Sequence, residues 1–325
     1  MAGYAFAAYG PRTLAKQTTF GGILCAVGNT TKKIMSSNDG VKWYENDAGV
    51  ANLVAVCWAP GLGSGTGRFC AISSAGVAAY SDDMGLTWSH NSLPEANTFT
   101  SICWSPTKSL FVAVCKSGTH RVAYSSNGIS WMMASDPNSN TGQWQTVCWS
   151  PTKALFVAID GAVGQLEMYS ADGMSWSAGI APMSAPANAA VCWDATIGVF
   201  CCASSTTQYG TSADGITFTP RTGQNIGAGF GPNSVCGNGS VFCAVGNDIH
   251  GSGNYIATSP TGVTWTPRTA DENNSLSSIV WSPSLSLFIL VSSDGTHRAQ
   301  TSPTGTTWTK QTAIVGLWKS IAAAA

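Results

Sequence analysis

One motif recurs seven times along this chain: a serine, two or three residues, a glycine, two residues, then an aromatic. The copies are SSNDGVKW ending at Trp43, SDDMGLTW at Trp88, SSNGISW at Trp131, SADGMSW at Trp176, SADGITF at Phe218, SPTGVTW at Trp265 and SPTGTTW at Trp308. Their glycines stand at 40, 85, 128, 173, 215, 262 and 305, so the period runs from 42 to 47 residues. A period of roughly 40–45 residues, filled by several short strands, is the signature of a β-propeller blade. Seven copies imply seven blades.

A second series gives the same count with a shifted frame. VAVCWAP (54–60), TSICWSP (100–106), TVCWSP (146–151), AVCWDA (190–195), SVCGNG (234–239) and SSIVWSP (277–283) are six copies of one strand, and KSIAAAA (319–325) is the seventh. A third series, from ILCAV (23–27) through LFVAV (110–114) to LFILV (287–291), follows each of these strands. Its first copy has only TLAKQTTF (13–20) ahead of it, and the last copy of the second series has nothing after it. Both facts follow if the C-terminal segment pairs beside 23–27 as the innermost strand of blade one, which leaves no open edge in the ring. The competing arrangement puts 13–20 in that place and leaves the C-terminus as a tail. The chain is therefore expected to be all-β, a seven-bladed β-propeller of four-stranded antiparallel blades over 20–325, preceded by a docking arm over 1–19 that carries Tyr4, Phe6 and Tyr9. Both inner series are continuously apolar, as strands covered on both faces should be. Trp58, Trp104, Trp149, Trp193 and Trp281 of the second series are expected between blades.

Charge narrows the partners. Only 10% of the residues are charged, the net charge is −1, and Lys32-Lys33 is the sole adjacent basic pair. About 25% charged is usual for soluble domains, so Ser, Thr, Asn and Gly must carry the surface. No basic stripe is present to track a phosphate backbone, which disfavours nucleic acid as a partner. No stretch approaches the roughly 18 apolar residues of a membrane span, and Met1–Gly10 does not resemble a signal peptide. The eleven cysteines sit in or beside two repeated apolar slots, where a thiol behaves as a small hydrophobe; buried free thiols from a reducing cytoplasm are expected. No CxxC occurs and the four histidines are scattered, so neither a metal nor a cofactor is expected.

The seven motifs resemble the Asp-box, or bacterial neuraminidase repeat, Ser-x-Asp-x-Gly-x-Thr-Trp. SDDMGLTW matches it in full; SADGMSW and SADGITF are one residue shorter, and Thr261 and Thr304 stand for Asp in the last two copies. The resemblance covers the whole chain but implies a folding element, not an activity: an outer hairpin turn whose aromatic packs between blades. Trp43, Trp88, Trp131, Trp176, Phe218, Trp265 and Trp308 are thereby structural. Sialidase chemistry would need three arginines on a carboxylate, a Tyr–Glu pair and an Asp acid. Here the arginines are only six, several fall in repeated slots (TPRT, GTHR), and Arg-Ile-Pro is absent. Nor does spacing single out the paired carboxylates of a glycosidase. The expectation is that the chain is not an enzyme.

With the strands of a blade labelled A to D from the axis outward, ligands of propellers sit where the B–C and D–A loops gather around the channel mouth, and function lives in such loops. Two B–C loops carry GTHR, so His120, Arg121, His297 and Arg298 are candidate ligand contacts, with Trp144 of a D–A loop beside them. Turn and strand-edge packing is the competing explanation for all five. Low charge, hydroxyl-rich composition and a likeness to phage-encoded propellers with a VCWSP…TSPDGxTW pattern point to a structural or receptor-binding protein of a virus particle. A bacteriophage tail or capsid appendage at the virion surface is expected, meeting other virion proteins and a host-surface glycan. A lectin-like propeller outside a virion and a degenerate sialidase-like hydrolase are the alternatives.

Overall fold

The computed structural model of the chain describes residues 24–28, 30–137, 141–161, 167–180, 189–204, 209–221, 230–248 and 254–324. These form seven four-stranded antiparallel sheets, the blades of one propeller. Blade 1 is built from both ends of the sequence. Its strands run Trp318–Ala323, Leu24–Gly28, Lys33–Ser37 and Trp43–Asp47 from the axis outward. Leu24 lies opposite Ala323, Ala26 opposite Ile321 and Val27 opposite Ser320. The C-terminal strand thus closes the ring. The arm at 1–19 and the rival strand at 13–20 lie outside the described residues. Among the described residues no helix is long and apolar enough to cross a membrane.

The other blades follow chain order, as in blade 3 with Phe99–Ser105, Leu110–Cys115, Val122–Ser125 and Met132–Ala134. The second strands LCAVG, LFVAVC and LFVAID are buried at every position, because a neighbouring blade covers each face. The core therefore lies between blades. Ala55, Cys70 and Ile72 of blade 2 meet Ile102, Phe111 and Trp131 of blade 3. The inner-strand tryptophans tilt against the phenylalanine of the second strand, with Trp104 and Phe111 centred 4.5 Å apart. All eleven cysteines are free, and apolar burial pushes their thiols up, to about 12 for Cys70.

The seven Ser…Gly turns share one wiring. The serine hydroxyl accepts the glycine N–H at 2.8–2.9 Å in every copy. In the first five an Asp or Asn Oδ1 also accepts the two N–H groups after the glycine, as Asp172 does from Met174 and Ser175 at 2.8 and 2.7 Å. Each glycine has φ between 72° and 85°, a region that favours glycine. Six tryptophans then return an indole N–H to the glycine carbonyl at 3.1–3.2 Å. The rings of Trp131 and Trp43 pack on the preceding blade.

Arg68 ties two of these turns together. Its Nε and Nη2 donate to the two carboxylate oxygens of Asp82 at 2.6 Å each, and its Nη1 donates to the Asn127 carbonyl of the next blade. The guanidinium lies 4.6 Å from the Tyr80 ring centroid and is almost fully buried. Arg68 is buried while Asp82 is 35% exposed, so removing the arginine leaves the carboxylate partly solvated. Arg68→Met is expected to lower stability by about 1–2 kcal/mol in urea unfolding, and Asp82→Asn in that background should recover part of it. An unchanged midpoint for the single variant would show that the contact carries no stability.

Candidate functional site

The inner strands of the blades gather around the axis, and at the end where their first residues lie they depart from regular pairing. In six of the seven, one extra residue interrupts the register with the second strand. These residues are Val54, Thr100, Gln145, Asn233, Ser277 and Lys319. A bulge of this kind bends the strand and re-aims a side chain. All six are half-buried and line a single cavity of about 540 Å³ at the channel mouth, within the roughly 300–1,000 Å³ of small-molecule sites.

The residue after each bulge is far more uniform, and it holds the ring. Ser320, Ser101 and Ser234 accept the backbone N–H of Val56, Val147 and Ile279 on the following blade at 3.2 Å, and Ser278 accepts that of Ile321 at 3.3 Å. Two bulge residues also latch: Thr100 donates to the Trp144 carbonyl at 2.7 Å and Asn233 to the Leu276 carbonyl at 2.9 Å. Gln145 Oε1 has no hydrogen-bond partner. Lys116 of the blade 3 B–C loop completes the polar lining, which among the described residues contains hydroxyls, amides and two lysines but no carboxylate. Neither lysine belongs to an ion pair among the described residues.

None of the five sequence-derived candidates lines this cavity. Four of them build two matching clamps behind it. Glu95 accepts from the His120 ring Nδ1 and, at 3.1 Å, from the His120 N–H, while Asn97 donates to the His120 carbonyl at 2.7 Å. Glu272 and Asn274 repeat this on His297 at 2.6, 3.0 and 2.7 Å. Burial pushes both carboxyls up, but the donors on them outweigh it and hold both below the usual range. Arg121 Nη1 donates to the Lys116 and Gly142 carbonyls at 2.6 Å each, joining the B–C loop to the next D–A loop. Arg298 occupies the matching place, with Nε and Nη1 buried and lacking hydrogen-bond partners. Trp144 is fully buried and donates to Asp136 at 2.8 Å, so it presents no ring to a ligand.

Sequence reasoning found GTHR and missed its Glu-x-Asn partner, although Glu95 to His120 and Glu272 to His297 share one spacing of 25 residues. It missed the bulge ring altogether. Away from the mouth, Glu167 begins the third strand of blade 4 at 1% exposure, and neither carboxyl oxygen has a hydrogen-bond partner. Burial, assisted by the negative charge of Asp214, raises its pKa to about 9; the Ile180 N–H, committed to the Ile216 carbonyl at 2.9 Å, offsets this only in part. Among the described residues no cluster of three His, Cys, Asp or Glu side chains could hold a metal ion.

No protein family matches the sequence, and no curated protein does. Solved structures do match. A periplasmic gluconolactonase of Pseudomonas aeruginosa is similar over 94% of this chain and 99% of its own, with a TM-score of 0.66 at 12% identity. A Lactobacillus plantarum protein is similar over 92% and 98%, at 0.65 and 10%. An ancestral GH74 enzyme is similar over 80% of this chain and 38% of its own, at 0.58 and 15%. Identities this low speak for the fold alone. They also correct the expectation that the chain is not an enzyme, because two of these propellers are enzymes. A missing arginine triad removes one known substrate clamp; it does not separate this scaffold from catalytic ones.

Proposed function

We propose that this chain is a structural or receptor-binding component of a virus particle, a bacteriophage tail or capsid appendage, that turns its channel mouth toward a host-surface glycan. The observation that carries the reading is the mouth itself, a cavity of about 540 Å³ whose described lining offers hydroxyls, amides and two lysines and no carboxylate. Sugars are read through such donors and acceptors once a scaffold fixes them. The setting rests on the sequence: Asp-box-like repeats similar to those of phage-encoded propellers, and a surface in which Ser, Thr and Gly replace charge, with only 10% of residues charged. A lectin-like propeller outside a virion would use the same mouth in the same way.

Two measurements test the proposal. Purified chain in excess should compete with adsorption of the parent virus to its host, and antibody against the chain should decorate purified particles. Particles without label, together with unaffected adsorption, would remove the virion setting. A glycan array on which the chain binds nothing would remove the recognition role.

A further inference from the structure

We infer that the bulge ring is where ligand specificity is set, and that with Lys116 it selects an anionic saccharide. The inference rests on the glycan reading above and narrows it to a charge class. Within this one chain the repeats differ little where they build the blade. The post-bulge position is Ser in four blades, and the turn serine and glycine are the same in all seven. At the bulge the six residues are all different: Val54, Thr100, Gln145, Asn233, Ser277 and Lys319. Thr100 and Asn233 also latch to the next blade, yet all six positions differ in type while the bulge points them into the cavity.

Their chemistry is one-sided. Lys319 enters from blade 1 and Lys116 from blade 3, and among the described residues none of the lining carries a negative charge. Neither lysine has an ion-pair partner among the described residues, so a carboxylate or sulfate bound in the cavity would gain charge-assisted hydrogen bonds from them. Arg121 acts one step back, as a positioning residue: its bond to the Lys116 carbonyl fixes the loop that carries the ammonium.

The test uses the full chain in titration calorimetry with three probes: trigalacturonic acid, its carboxyl-reduced neutral trisaccharide, and a sulfated form of the neutral trisaccharide. The acidic probes should bind at least about tenfold tighter than the neutral one, as expected of a charge-assisted contact worth one decade. Lys116→Gln and Lys319→Gln should each remove about that factor for acidic probes and leave the neutral one unchanged, while Lys108→Gln on the opposite face changes nothing. Salt raised from about 50 to about 500 mM should weaken only the acidic probes. A preference for carboxylate over sulfate, or the reverse, names the anion. If the neutral trisaccharide binds as well as the acids and the lysine variants bind like the parent, the charge assignment is overturned while the glycan reading stands. Binding of none of the three overturns both.

Discussion

Ending the chain at residue 316 should abolish cooperative folding. The deletion removes the innermost strand of blade 1 and with it Trp318, Ile321 and Ala322, at 1%, 5% and 6% exposure. Loss of a buried Trp and Ile alone costs about 5–10 kcal/mol, comparable to the roughly 5–15 kcal/mol that holds a whole domain together. It also bares the edge of Leu24–Gly28 and opens the interfaces with blades 7 and 2, where Ser320 latches Val56 and Ser278 latches Ile321. An exposed apolar edge is a template for aggregation. The truncated chain should therefore be insoluble or lack a thermal transition. Trp318→Ala, which keeps the strand, should fold with stability lowered by about 4 kcal/mol. A truncated chain that melts like the parent would mean that another segment fills the strand's place.

The second large effect runs the other way. Glu167→Gln should stabilise the protein, and more so as the pH rises. The folded-state pKa is raised from 4.5 to about 9 by burial, so folding favours the protonated acid. Its stability is fully present below the unfolded pKa and is lost as pH rises through the window from about 4.5 to about 9. At pH 7 the burden on the parent is on the order of 3 kcal/mol, at 1.36 kcal/mol per pH unit. Glutamine cannot ionise, so the variant should lose this part of the pH slope and match the parent near pH 4. Urea midpoints at pH 4, 6 and 8 read it directly. Parallel pH profiles for the two proteins would show that Glu167 is ionised without penalty.

Blade number and closure were legible because both depend on counting. Seven glycines fix seven turns, and a series of inner strands that lacks its first copy and carries an extra one at the end has to join its ends. The turn wiring was legible for a related reason: Ser, Asp and Gly at fixed offsets leave little choice of backbone. The mouth was not. An extra residue present at the same point in six blades looks like part of the repeat, and only pairing with the second strand shows that Thr100 or Lys319 is unmatched. Glu167 did leave a signal. It stands in a slot that the other blades fill with Ile34, Ala78, Val122, Tyr209, Ile256 and Ala299, so a lone acid there marks a buried carboxyl. The candidate residues of GTHR were noticed because they repeat, and for that same reason they support the loops rather than distinguish one blade from another.

The seam in blade 1 has a mechanical consequence. Leu24 and Ala323 are direct partners at the same end of an antiparallel pair. Tension applied between those two residues would load the hydrogen bonds of the seam one pair after another, in the manner of a zipper. Force entering through the loops at the mouth would instead be shared among blades whose strands must slide past one another together. The ring is thus weak along one line and strong elsewhere, and a particle that hung this propeller by one end of its chain would keep that line free of load.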